Sequence, residues 1–182
     1  MGRERPAMPR RIVFVCTGNS CRSPLAEVLA RARYAELPLI FASAGTDAVA
    51  GQPASAGAIA VARERGLDLA HHRGMCLDAA SLADAAWAIG MTRTHAAVLR
   101  ARLSPGWPGR VGLLAQPGVD WRRGSPPPDS AGADGEAASV DVPDPWQGPV
   151  ESYRDVAVRI DELLAAWQDV FAAAGAAEEG RP

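Results

Sequence analysis

The sequence predicts an α/β fold: a three-layer sandwich with about four parallel strands and helices on both faces. Three observations predict it. Four short apolar runs alternate with helical patterns along the chain. The first run is continuously apolar and β-branched, as expected of a strand buried on both faces. It also runs directly into a tight turn and a helix, the strand–loop–helix opening of a doubly wound sheet, whose ligands bind at the carboxyl ends of the strands.

Arg11-Ile-Val-Phe-Val-Cys16 is the first strand, ended by the turn residues Thr17-Gly18-Asn19. Pro24 suits the first turn of a helix, and Leu25, Val28, Leu29 and Ala32 follow at helical spacing. Leu39–Ala42 reads as the second strand, closed by Ser43-Ala-Gly45. Ala54 to Arg65 is an alanine-rich helix stopped by Gly66. Ala85–Met91 is the third strand, with Thr92 as cap of a helix over Arg93–Leu103. Arg110–Leu114 is a fourth, weaker strand. One strong closing helix is expected from Tyr153, Val156, Ile160, Leu163, Leu164, Trp167, Val170 and Phe171. Gln116–Pro143 holds Pro126-Pro-Pro128 and little large apolar material, so it reads as a mobile insertion. A single domain is expected over 11–174, with 1–10 as a flexible lead and 175–182 as a frayed tail.

The 182 residues carry 19 basic and 21 acidic side chains, and every basic one is arginine. The absence of lysine excludes a P-loop, a Schiff-base enzyme and a protein kinase, each of which needs a lysine amine. A net charge of −2 argues against a nucleic-acid partner. No apolar run reaches the ~20 residues of a membrane span, and the charged start lacks the core of a secretory signal. Three cysteines, Cys16, Cys21 and Cys76, make no disulfide scaffold and fit a cytoplasmic protein with reactive thiol chemistry.

The chemistry centres on Cys16-Thr-Gly-Asn-Ser-Cys-Arg22-Ser23, a Cys-x5-Arg loop between a strand and a helix. Five intervening residues can wrap a semicircle of inward-pointing N–H groups, an anion nest reinforced by the N-terminus of the following helix. Arg22 can bind two phosphate oxygens through its planar fork. Cys16 would face the phosphorus, and such surroundings favour the nucleophilic thiolate. Gly18 and Asn19 are residue types that tolerate the positive φ of a tight turn. Ser23 could donate a hydrogen bond to the sulfur. Spacing alone is weak evidence: 3 cysteines and 19 arginines give about 0.3 such pairs by chance. The strand before, the Gly-Asn turn within and the Pro24 helix after supply the context that the chemistry requires.

Val15-Cys-Thr-Gly-Asn-Ser-Cys-Arg-Ser-Pro-Leu-Ala-Glu27 closely resembles the signature of the low-molecular-weight protein tyrosine phosphatases. The resemblance extends to Ser43-Ala-Gly-Thr46, Gly66–Arg73, Ala85–His95 and Asp144-Pro145-Trp146, so it covers about Arg11 to Phe171. It implies a two-step hydrolysis: Cys16 attacks phosphorus, Asp144 protonates the leaving group, and Asp144 then activates water against the phosphocysteine. Arg22 and the amides of Thr17, Gly18, Asn19, Ser20, Cys21 and Ser23 would stabilise the equatorial oxygens. Asn19, Ser23, Ser43 and His72 would form the network holding the loop, and Trp146 one wall of the substrate cleft. Cys21 could pair reversibly with Cys16 and protect it from over-oxidation. No metal or other cofactor is implied, and the histidines lack a zinc spacing. The expected partner is a phosphorylated protein, and the expected assembly a monomer.

Two departures bear on substrate. Tyrosine-directed members usually carry a bulky aliphatic residue before Cys21, while the family's protein arginine phosphatases carry threonine; here it is Ser20. Thr17 and Met91-Thr92 also resemble the arginine branch. Asp47-Ala-Val-Ala-Gly51 lacks the aromatic that often forms the second wall of a phosphotyrosine cleft. Phosphotyrosine is the family default and phosphoarginine the rival. Thiol-dependent arsenate reduction would need two further relay cysteines, and only Cys76 is available. A non-catalytic phosphate-binding module would not need Cys16 and Asp144.

Overall fold

The computed structural model describes residues 10–104, 106–123 and 140–176. Four parallel strands form one sheet in the order β2-β1-β3-β4: β1 Arg10–Cys16, β2 Leu39–Gly45, β3 Ala85–Gly90 and β4 Arg110–Leu113. Helices α1 (Arg22–Arg33), α2 (Ala56–Glu64), α3 (Ala79–Leu82), α4 (Arg93–Arg102), α5 (Val150–Ala165) and α6 (Gln168–Ala176) complete it, with one 3-10 turn at Trp121–Arg123.

The alternation of side chains along β1 builds both cores. Ile12 and Phe14 point into a cluster with Leu25, Val61, Ile160 and Phe171 from α1, α2, α5 and α6, and with Trp167 between the last two. Val13 and Val15 point into a second cluster with Leu82, Ala96, Leu99 and Trp107, on the side of α3 and α4. β1 is therefore sealed on both faces, which is why its sequence is continuously apolar. The chain crosses from β2 on one side of β1 to β3 on the other. This reversal opens a crevice at the carboxyl end of β1, where Cys16 sits.

Three expectations change. The closing helix is two helices, because the chain breaks around Trp167. Its indole donates to the Leu114 carbonyl at 2.8 Å and packs edge-on against Trp87 and stacked on Phe171. The apolar period runs unbroken across the break, so periodicity alone could not show it. The stretch read as a mobile insertion is packed at both margins. Trp121 and Val142 are buried, and Trp121 Nε1 donates to Gln116 Oε1 at 3.0 Å. Isolated large side chains find tertiary seats that an averaged composition hides; residues 124–139 lie outside the described residues. The tail also begins later, since α6 includes Gly175, which lies against Pro38.

Candidate active site

Residues 16–23 link β1 to α1. The N-cap of α1 is Cys21, and no side chain caps this helix, whereas Ser55, Asp78 and Thr92 cap α2, α3 and α4. The first N–H groups of α1 are thus left for the loop that precedes them. Asn19 adopts φ +51°, the left-handed turn that closes the loop. Gly18 does not: it has no positive φ, and a Cβ there would meet nothing closer than Ser20 Oγ at 3.5 Å. The glycine that the loop cannot do without is Gly45 at the end of β2. A Cβ there would strike Thr17 O at 2.5 Å and Asn19 N at 2.9 Å.

Cys16 Sγ lies 3.0 Å from Ser23 Oγ, and both residues are buried. Asn19 Nδ2 donates to Ser23 Oγ at 3.0 Å and to Ser43 Oγ at 2.9 Å, and its Oδ1 accepts the Met75 N–H at 2.8 Å. His72 Nε2 meets the Asn19 carbonyl at 2.8 Å. Of the four residues expected to hold the loop, the other three therefore converge on Asn19. Sequence reasoning missed the anchor behind them. Ser43 Oγ donates to the buried Glu27 at 2.5 Å, and Glu27 is paired with Arg31 at 2.5 Å. The signal was available, since an acidic residue at Glu27 interrupts the apolar face of α1.

Arg22 is buried at the start of α1. It donates to the Val142 carbonyl at 3.3 Å and to Asp144 Oδ2 at 2.5 Å. Its buried Nε has no partner among the described residues. Asp144 Oδ1 accepts the Trp146 N–H at 3.2 Å, so the turn that follows aims the carboxylate. Asp141, a second carboxylate three residues earlier, instead accepts the Arg93 N–H at 2.8 Å, at the start of α4. Trp146 is 63% exposed and edges a groove of about 530 Å³ floored by Ala56, Gly57 and Ala60.

Cys21 is buried facing away from bulk solvent. Its thiol donates to Ser55 Oγ at 3.2 Å and lies 3.8 Å from the Tyr153 hydroxyl. Ser20 is half-buried, its hydroxyl 3.6 Å from Cys21 Sγ. Thr17 meets a residue absent from the predicted site, His95, through Nε2 at 3.0 Å. Burial, reinforced by the Arg22 guanidinium, pushes the His95 imidazole down to about 4.

Comparison with known proteins identifies a family and a fold. The family model for the low molecular weight phosphotyrosine protein phosphatases matches residues 11–116. A protein-arginine-phosphatase of Geobacillus stearothermophilus is 34% identical over 158 residues, covering 86% of this chain and 93% of that protein. The low molecular weight protein-tyrosine-phosphatase Wzb of Salmonella typhimurium is 29% identical, covering 96% of this chain and all of the relative. The solved structure of Vibrio vulnificus Wzb in complex with benzylphosphonate superposes with a TM-score of 0.69 at 27% identity, over 89% of this chain and 99% of that one. A thiol at the carboxyl end of a central parallel strand, an uncapped helix beyond it and a family match over most of the sheet lead to one conclusion: the chain belongs to the low molecular weight phosphotyrosine protein phosphatase family.

Proposed function

We propose that the protein hydrolyses phosphotyrosine in phosphorylated proteins through a cysteinyl-phosphate intermediate, with Cys16 as nucleophile, Arg22 as phosphate clamp and Asp144 as general acid and then base. The observation that carries this reading is a loop that begins at a buried thiol and ends at a buried arginine to which Asp144 is drawn. Cys16 lies at the bottom of the loop beside Ser23, and Arg22 ends the same loop in contact with Asp144. An oxyanion in the loop would meet the N–H groups at the start of α1 and the unpartnered Nε of Arg22, whose burial without a partner is otherwise costly.

In the first step, the Cys16 thiolate attacks phosphorus in line with the leaving oxygen. Asp144, which must carry a proton in the substrate complex, gives it to that oxygen as the S–P bond forms and the P–O bond breaks. In the second step, Asp144, now ionised, takes a proton from water as it attacks the thiophosphate. Ser23 donates a hydrogen bond to the departing sulfur. Trp146 gives an aryl phosphate one exposed wall, and the related Vibrio vulnificus Wzb takes benzylphosphonate, an aryl-bearing phosphate mimic.

A second reading, hydrolysis of phosphoarginine, is favoured by specific observations. Ser20 leaves the loop with a small hydroxyl where a bulky aliphatic side chain would narrow it. Val49 is exposed in the Asp47–Gly51 segment, where the resemblance would place an aromatic. The relative that is 34% identical carries the arginine-phosphatase name. Turnover of phosphotyrosine and phosphoarginine peptides side by side, each with Cys16→Ser as control, decides between them. Turnover of neither peptide, or turnover that survives Cys16→Ser, would refute both readings.

A further inference from the structure

The turn between β3 and α4 touches both halves of the site. On one side it carries the loop leading to Asp144: Met91 O accepts the Val142 N–H at 2.9 Å, and the Arg93 N–H donates to Asp141 Oδ1 at 2.8 Å. On the other side stands His95, 5% exposed. Its Nε2 lies 3.0 Å from Thr17 Oγ1 and its Nδ1 2.8 Å from Thr92 Oγ1. Gly90 permits this close approach, because a Cβ there would strike Ala96 N at 2.8 Å and His95 Cβ at 3.0 Å.

We propose that His95 is a positioning residue: its imidazole ties Thr17, the residue after the nucleophile, to the turn that carries the Asp144 loop, and so sets the spacing between nucleophile and acid. The inference rests on the roles given above to Cys16 and Asp144. The proton count is consistent with it. Thr92 Oγ1 accepts the His95 backbone N–H at 3.3 Å as helix cap. Its own proton then goes to Nδ1, which leaves Nε2 as an N–H donor to Thr17 Oγ1. That arrangement needs a neutral ring. Burial and Arg22 keep the ring neutral against the opposing pull of Asp144, Asp141 and Asp47. Thr17 is also held through its backbone, since its carbonyl accepts the Asp47 N–H at 3.0 Å. The His95 tie thus joins the nucleophile end of the loop to the acid's side of the cleft, as the Arg22 contacts with Val142 and Asp144 join its other end.

A pair of leaving groups tests this. Phenyl phosphate needs a well-placed acid far more than p-nitrophenyl phosphate, whose phenolate leaves readily. In His95→Leu and in Thr17→Val, kcat/KM should fall about 10- to 100-fold on phenyl phosphate and several-fold less on p-nitrophenyl phosphate. The double variant should be no worse than either single one, because both remove the same tie. His95→Gln, which keeps a side-chain N–H, should recover part of the loss. If His95→Leu does not fold, Thr17→Val carries the test, as its side chain is at the surface. Equal losses on the two substrates, additive losses in the double variant, or no loss would overturn the inference. A Cys16→Ser control separates it from the reading beneath: turnover that survives Cys16→Ser refutes the catalytic assignment itself. Turnover lost there while His95→Leu keeps the wild-type ratio of the two substrates refutes the positioning role alone.

Discussion

Arg22 and Asp144 meet at 2.5 Å across the mouth of the loop, a guanidinium side chain 6% exposed against a carboxylate 48% exposed. The cation proposed to hold phosphate is therefore already partnered, and its partner is the proposed acid. An incoming oxyanion must share Arg22 with Asp144 and approach a like charge.

That pair predicts opposite effects on binding and turnover. Asp144→Asn removes the competing charge, so inorganic phosphate should inhibit about two- to fivefold more tightly, a modest gain because the pair is half in water. The same change removes the proton donor, so kcat/KM on phenyl phosphate should drop by about 10²- to 10³-fold. Competitive inhibition and steady-state kinetics on one preparation measure both. Weaker phosphate binding in Asp144→Asn would show that the ion pair does not oppose the ligand.

Asn19 predicts a stability effect. It holds φ +51° and bonds to Ser23, Ser43 and the Met75 N–H. Asn19→Ala strands the Met75 donor and puts alanine in the left-handed region. A loss of about 2–4 kcal/mol is expected in urea denaturation. A variant as stable as the wild type would mean that the loop is held mainly by His72 and Gly45.

His95 predicts a pH dependence of stability. Its imidazole is held down to about 4 in the folded protein, against an ordinary value of 6.5. Above pH 6.5 both states leave it neutral. As the pH falls from about 6.5 to about 4, the unfolded chain takes up a proton that the folded chain refuses. Stability should be lost over that window, on the order of 3 kcal/mol. Urea midpoints at several pH values, compared with His95→Gln, isolate this contribution, since the variant lacks it. Parallel pH profiles would contradict the depressed value.

Gly112 predicts a packing effect far from the loop. A Cβ there would meet the Trp167 ring at 2.8 Å and the Trp87 ring at 3.2 Å. Gly112→Ala should cost about 1–3 kcal/mol by overpacking the two tryptophans. Calorimetry reads this directly, and an unshifted melting temperature would mean that the rings move aside freely.

How much the sequence revealed can be traced residue by residue. The continuous apolar run Ile12–Val15 declared a strand buried on two faces, because only such a strand can place apolar groups at every position. Cys16 and Arg22 could be paired once the strand before and the Pro24 helix after were read with their spacing, because a short loop joined to a helix has few ways to fold around an anion. Thr92 was legible as a cap because its hydroxyl works within its own turn. Local rules suffice where the partners are neighbours in the chain.

Tertiary structure decided everything that depends on residues far apart in sequence. The requirement for glycine at Gly45 comes from Thr17 and Asn19 crossing above it, and nothing near position 45 announces that crossing. Glu27 became the anchor of Ser43 only when α1 packed on β2. Trp167 broke the last helix because Leu114 offered its indole a carbonyl. Which of Asp141 and Asp144 faces Arg22 followed from the seat of Val142 against Met91. His95, which appears only as part of a motif in the sequence, came to stand beneath Thr17 because Gly90 lets α4 close against β3. Periodicity and motif spacing report local geometry; the partners of a buried polar group are set by how the layers pack.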